Sequence, residues 1–250
     1  MTTARKTILV TGATGTLGRP LCARLAADGH EVRELSRNSR EHPVDLRRGT
    51  GLDAALAGVD TVVHCASSPR GGDEEAARHL IAAARRAGVG HLVYISIVGV
   101  DRVPLGYYRA KFAVERLVEE SGLGWTVLRA TQFHDLVEGI LAGAAKVPLV
   151  LPVPAGVADQ PVEVTEVAGR LAELAASDPA GRVPDLGGPE VLSFTELARA
   201  YLAATGRARR PLPLPLAGRT YRAFRAGGHL APDRATGRVT FAQYLRERHR

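Results

Sequence analysis

Tyr107 and Lys111 stand at i and i+4 in the run Tyr107-Tyr108-Arg109-Ala110-Lys111, so on a helix both side chains project from one face. A phenol beside an ammonium is a tunable proton donor, because the positive charge favours the phenolate and lowers the phenol pKa. Eleven residues before Tyr107, near the end of the apolar run His91–Ile97, Ser96 offers a hydroxyl that would orient a substrate carbonyl. Lys111 is one of three lysines, with Lys6 and Lys146, in a chain that otherwise carries positive charge on arginine. A compact ammonium suits ribose hydroxyls better than a planar guanidinium does. Tyr108 falls on another helix face and reads as packing.

A second constellation lies near the N-terminus. Thr11-Gly12-Ala13-Thr14-Gly15-Thr16-Leu17-Gly18 has the spacing G-x-x-G-x-x-G, between an apolar run and a helix candidate. In that context Gly12 permits a tight turn, Gly15 lets the backbone approach a pyrophosphate, and Gly18 packs helix on strand. Backbone N–H groups at the helix start, from Thr14 and Thr16 to Leu17, then face the anion. The end of the next run decides which dinucleotide is held. An NAD site places a carboxylate there for the ribose 2′-hydroxyl, whereas a 2′-phosphate needs cations. The segment Leu35-Ser36-Arg37-Asn38-Ser39-Arg40 has no acid, so NADP(H) is expected over NAD(H). Ser36 and Arg37, assisted by Arg40, are the candidate partners of that phosphate; the other reading of both arginines is of solvated side chains. Asp45-Leu46, after a short third strand, and Cys65-Ala66-Ser67-Ser68, at the end of the fourth, would border adenine and ribose. Asp45 serves equally well as a turn residue.

These residues need a scaffold that brings strand ends together. The runs Thr7–Thr11, Glu31–Leu35, Thr61–Ala66, His91–Ile97 and Trp125–Ala130 alternate with helix candidates at Thr16–Asp28, Asp73–Ala87 and Tyr107–Ser121. Ile8-Leu9-Val10 and Val62-Val63 are apolar on both faces, as strands covered by helices on both sides must be. The expected fold is therefore α/β, a Rossmann-like doubly wound parallel sheet whose ligands lie beyond the carboxyl ends of its strands. Thr131–Asp135 follows the last run, which makes Gln132, Phe133 and His134 candidate substrate contacts. Further on, Gln160–Val164 reads as a short strand before a helix at Thr165–Ala176, and Ser193 with Glu196 forms a capping box. Pro211–Leu216 reads as a connector between Ser193–Thr205 and two Arg-rich amphipathic segments. The domain reading is a Rossmann-like domain over 1–188 and a small, mostly helical substrate lobe over 189–250.

With 250 residues, 45% of them hydrophobic, the chain has ample material for a core. Its formal charge of +7 is uneven: 199–250 holds twelve arginines against Asp233 and Glu247, a net of +10, and the rest of the chain carries −3. The rest of the chain, residues 1–198, forms no basic stripe, so no nucleic-acid partner is expected. The two cysteines, Cys22 and Cys65, have no ligand spacing, which argues against structural zinc and disulfides. Prolines 148, 152 and 154 break the most apolar stretch, and Thr7–Thr11 is too short for a signal core and leads directly into a motif; a cytoplasmic protein without a membrane partner is expected.

On these motifs, with Leu128–Phe133, Gln160-Pro161-Val162 and Gly187–Glu190, nearly the whole chain resembles atypical short-chain dehydrogenase/reductases of the NmrA-like NAD(P)H-binding branch. The resemblance implies that Tyr107 is the proton donor, Lys111 the ribose anchor and Ser96 the carbonyl-orienting hydroxyl. It implies an NADPH-dependent oxidoreductase acting on a carbonyl or activated alkene of a small molecule, with a homodimer formed through long helices such as Tyr107–Ser121. The alternative is a non-catalytic NAD(P)-binding redox sensor or scaffold, since the branch contains such members. Ser96 stands alone where many members have two serines.

Overall fold

The computed structural model describes residues 5–37, 39, 42–68 and 71–250. In chain order its elements are β1 (Thr7–Thr11), α1 (Gly18–Ala27), β2 (Glu31–Ser36), β3 (His42–Pro43), α2 (Leu52–Leu56), β4 (Thr61–His64), α3 (Asp73–Ala87), β5 (His91–Ile97), α4 (Gly106–Glu119) and β6 (Gly124–Ala130). There follow α5 (His134–Ala144), β7 (Val150–Pro154), β8 (Ala158–Asp159), α6 (Val164–Ala176), β9 (Gly181–Arg182), β10 (Leu192–Ser193), α7 (Phe194–Thr205), β11 (Arg210–Leu214), α8 (Arg219–Arg225) and α9 (Phe241–Arg248).

The chain forms two compact units, neither of them continuous. The first comprises Met1–Ser96, Gly106–Arg129 and Val164–Pro184; the second comprises Ile97–Leu105, Ala130–Glu163 and Asp185–Arg250. Both units thus draw on the stretch before Gly188 that the sequence reading assigned to one domain.

The first unit is built on a sheet in the order β3-β2-β1-β4-β5-β6-β9, the Rossmann order. The pairings of β1 with β2 and β4, β2 with β3, β4 with β5 and β6 with β9 are parallel. Helices cover both faces, α1 packing on α6 and α3 on α2 and α4. Ile8, Leu9, Val10, Val62 and Val63 are wholly buried, as their two-sided apolar character requires. The helix α3 begins with Asp73, Glu74 and Glu75 and ends with Arg85 and Arg86, charges that oppose the helix dipole at both ends. Strand order reverses at β1: the chain moves outward to β2 and β3, then returns to β4 on the other side. A crevice opens at such a switch point beyond the strand ends, and it is bordered here by Gly12 and Cys65.

The second unit has its own apolar core, in which α5, α7 and α9 contribute Val137, Leu141, Leu197, Tyr201, Phe241 and Leu245. Ser193 and Thr240 cap α7 and α9 with reciprocal capping boxes. Pro211–Leu214, expected as a connector, belongs to β11, which pairs in parallel with the equally Pro-rich β7. The prolines are accommodated because both strands of this two-stranded sheet are edges, so alternate residues need no N–H donor, while Leu151 and Val153 turn into the core.

Candidate functional site

The glycine loop and the end of β4 meet across the switch point. Gly12 has φ +69, and a Cβ there would lie 2.9 Å from the Ala66 backbone. A Cβ on Gly18 would lie 2.2 Å from the Gly12 carbonyl, so α1 starts as close to the loop as backbone allows. Thr11 joins the two strand ends with one hydroxyl: Ala66 N–H donates to Thr11 Oγ1 at 3.1 Å, and that oxygen lies 2.7 Å from His64 Nδ1. Burial, aided by the Lys111 charge, pushes the His64 pKa down to about 3, so the ring is neutral and its Nδ1 shares one hydrogen with the threonine oxygen.

Beyond this junction lies a cavity of about 310 Å³. Its lining includes the expected Gly12, Thr14, Gly15, Ser36, Arg37, Asp45, Leu46, Cys65, Ala66 and Ser67. Thr16, Leu17, Gly18 and Lys111 are not part of the described lining, and Arg40 is outside the described residues. Gly18 supplies helix–loop packing, while Leu17 is itself core. Ser68, next to Ser67 after β4, also lines the cavity, as do Arg47 and Asp73, which sequence reasoning missed as site residues. Asp45 accepts the Arg47 N–H at 3.0 Å, the turn role that was the alternative for it. The Cys65 thiol is pushed up to about 12 chiefly by burial, which leaves it neutral and inert.

Tyr107 and Lys111 do emerge from one helix, α4, but they do not pair. The Lys111 ammonium donates to the Ile95 carbonyl at 3.0 Å and lies 4.8 Å from the centre of the Tyr94 ring. Tyr107 Oη instead lies 2.9 Å from Ser67 Oγ. The expectation that Lys111 lowers the phenol pKa is therefore corrected: burial raises the Tyr107 pKa, and nearby Asp73 adds to the rise against the Ser67 hydrogen bond. Ser96 is buried, and its Oγ has no hydrogen-bond partner among the described residues. Such hydroxyls are uncommon in folded proteins and are often kept for function.

Burial also sets the charge of Lys111, depressing its pKa from 10.5 to about 8 despite the opposing carboxylates of Asp73 and Glu115. Between those two values the unfolded chain binds more protons than the folded one, so stability rises with pH across that window. Below about pH 8 the full cost of the buried ammonium is present, on the order of 3 kcal/mol. Lys111→Met should raise the denaturation midpoint at neutral pH and abolish the rise between pH 8 and 10.5, as urea titrations at several pH values would read. A wild-type midpoint that falls across this window would contradict the assignment.

The substrate candidates belong to the second unit. Gln132 O accepts the Val162 N–H at 2.8 Å, and Phe133 bridges Val162 before α5 begins. Both are partly buried. His134 is wholly buried: its Nε2–H donates to the Val239 carbonyl at 3.0 Å, and its ring packs on Phe241 and Tyr244. With its pKa lowered by burial it is a neutral packing group, and it exposes no atom to a substrate. Among the described residues, no group of three or more His, Cys, Asp or Glu is arranged to hold a metal, and no helix is long and apolar enough to cross a membrane.

Comparison with known proteins places these features in context. A family model described as NAD(P)H-binding matches residues 12–146. Over 222 residues the chain is 33% identical to the (4-alkanoyl-5-oxo-2,5-dihydrofuran-3-yl)methyl phosphate reductase of Streptomyces griseus, covering 81% of this chain and 75% of that protein. An uncharacterized protein of Mycobacterium tuberculosis is 31% identical over 226 residues; this chain spans only 24% of its length. Among solved structures, the NADPH-dependent quinone oxidoreductase of Escherichia coli, complexed with NADPH, superposes with a TM-score of 0.78. It covers 97% of this chain and 100% of that one at 20% identity, a likeness of fold.

Proposed function

The chain belongs to the NAD(P)H-binding family, and from that premise we propose that it is an NADPH-dependent oxidoreductase reducing a carbonyl or activated alkene of a small organic substrate. The observation that carries this reading is the switch-point cavity itself, walled by a glycine loop too close-packed for side chains and set beside a helix bearing Tyr107 and Lys111. The cradle fits a dinucleotide. Gly12, Thr14 and Gly15 would hold the pyrophosphate, Ala66 leaves room for a sugar, and Ser36 and Arg37 lie where a 2′-phosphate would be met. When bound, that cofactor supplies the hydride. Ser96 would orient the substrate oxygen and Tyr107 would give it a proton; the Lys111 ammonium, with one of its three hydrogens on the Ile95 carbonyl, would have its remaining donors for ribose hydroxyls.

The test is direct: nicotinamide absorbance is followed with NADPH or NADH against a panel of quinones, aldehydes and ketones. Consumption of NADPH supports the reading; tight binding without consumption of either dinucleotide would favour the sensor alternative.

Cofactor preference has its own test. The cavity wall at the end of β2 carries Ser36 and the exposed Arg37, with no carboxylate on that strand end. A charge-assisted hydrogen bond contributes about 1.5–3 kcal/mol, so Arg37→Ala should weaken NADPH about ten- to a hundredfold. NADH, which lacks the phosphate, should change less than about threefold on the same energetic argument. Equal weakening of both in titration calorimetry would show that Arg37 does not read the phosphate.

A further inference from the structure

The Tyr107 phenol is part of a directed chain of hydrogen bonds. Ser67 Oγ donates to Asp73 Oδ2 at 2.7 Å, and Tyr107 Oη lies 2.9 Å from the same Ser67 oxygen. A serine hydroxyl has one hydrogen to donate. With that hydrogen on the carboxylate, Tyr107 is the donor into Ser67. The chain runs from α4, through the segment after β4, to the first residue of α3. Its far end is fixed: Asp73 is 7% exposed, and its other oxygen accepts the Ser68 N–H at 2.8 Å. The start of a helix further favours a negative charge there.

Other charged or titratable groups do not take over this task. Tyr94 faces Tyr107 from β5, but it is a second buried phenol whose own pKa is raised by burial. Lys111, one turn along α4, is turned to the Ile95 carbonyl. Asp73 is the negative charge that faces the phenol from α3. A fixed carboxylate beside a phenol that must become phenolate works against the reaction, unless something between them changes its hydrogen bond. Ser67 stands at that position.

We infer that Ser67 is a positioning residue for Tyr107, its hydroxyl turning from Asp73 to the phenolate oxygen as Tyr107 gives up its proton and turning back when the phenol is restored. This rests on the oxidoreductase reading above. In the step, the substrate carbon gains a hydride and its C=O bond becomes C–O–H. The Tyr107 O–H bond breaks, and its proton forms the new O–H bond. The phenolate accepts the Ser67 hydrogen bond until a proton from water re-forms the phenol, a path open because Ser67 is exposed. Asp73 therefore stabilises the phenol state and Ser67 the phenolate state: two neighbours with opposite effects on one oxygen.

Two measurements test this on the full-length protein. Uniform 3-fluorotyrosine labelling gives one fluorine resonance for each of the six tyrosines and brings phenol ionisation into a range where the fold persists; Tyr107→Phe identifies the signal. Asp73→Asn should lower the Tyr107 midpoint and Ser67→Ala should raise it, while Ser67→Thr leaves it near wild type. Unchanged midpoints, or shifts of the same sign in Asp73→Asn and Ser67→Ala, overturn the inference. In parallel, turnover of an active aldehyde or ketone with NADPH should fall about ten- to a hundredfold in Ser67→Ala. The alkaline limb of its pH profile should move upward with the Tyr107 midpoint, and Ser67→Thr should recover most of the rate. Undiminished turnover with an unmoved pH profile in Ser67→Ala also overturns it. If the wild type reduces nothing, the oxidoreductase reading fails by itself, and the fluorine titration still decides whether Ser67 and Asp73 bear on Tyr107 with opposite sign.

Discussion

Tyr107→Phe should lower kcat for carbonyl reduction about a hundred- to ten-thousand-fold, the range that a positioned general acid contributes, while leaving the Kd for NADPH unchanged. The separation of the two effects follows from where the residue sits. The cavity that fits the dinucleotide is walled by the glycine loop and the ends of β2 and β4, and Tyr107 is not among its described lining. The ring is partly buried on α4, so phenylalanine keeps its packing and removes only the hydroxyl that reaches Ser67 at 2.9 Å. Loss of that one hydrogen bond should cost about 1 kcal/mol of stability, too little to confuse inactivity with unfolding. The raised Tyr107 pKa adds a second signature. A phenol that stays protonated well past neutrality gives a flat kcat through pH 7 to 9, followed by a fall at alkaline pH, and the variant's residual rate should lack that fall. Steady-state kinetics over pH, with NADPH affinity from fluorescence, checks both. A variant that keeps turnover within tenfold of wild type would move proton delivery from Tyr107 to solvent.

The parts of this site legible in the sequence are those encoded within one or two turns of chain. Apolar residues on both faces of Ile8-Leu9-Val10 and Val62-Val63 reveal covered strands, and the glycine spacing reveals the loop, because each depends on near neighbours alone. The helix α3 spans the expected Asp73–Ala87 because acids open it and arginines close it. What was not legible depends on partners far along the chain. His134 looked available beside Asp135 until Phe241 and Tyr244, more than a hundred residues later, closed over it. Lys111 and Tyr107 share a helix, yet burial of the ammonium against Ile95 and Tyr94 outweighed their proximity. Asp73 read as a helix-start acid; its second task appears only when Ser67 and Tyr107, forty residues apart, come within a hydrogen bond. The β7–β11 pairing was hidden by the prolines themselves, since local rules disfavour proline in a ladder and its place on an edge strand depends on a partner about sixty residues away.

Glu115→Gln should destabilise the protein by about 3–5 kcal/mol, a large share of the 5–15 kcal/mol that ordinarily separates folded from unfolded chains. Glu115 is on α4, four residues beyond Lys111, and Arg129 is the penultimate residue of β6. Their side chains are 1% and 4% exposed, and the guanidinium donates to both carboxylate oxygens, at 2.8 and 2.6 Å. Two charges have been taken out of water at a cost that this two-pronged contact offsets in part, with the Phe112 ring facing the guanidinium from 6.0 Å. A glutamine there leaves Arg129 charged and buried with no counter-charge in that contact. The same change touches the site. The Glu115 carboxylate helps keep Lys111 charged, so without it the Lys111 pKa should fall below about 8, and the alkaline rise in stability should begin at lower pH. Replacing both partners by methionine should be far milder than either single change, because no charge is then stranded and apolar side chains refill the space. Denaturant titrations of the two single variants and the double variant at several pH values decide the matter. A Glu115→Gln cost below about 1 kcal/mol, or a double variant worse than both singles, would mean that the pair does not tie α4 to β6 and that Tyr107 and Lys111 are held in place by packing alone.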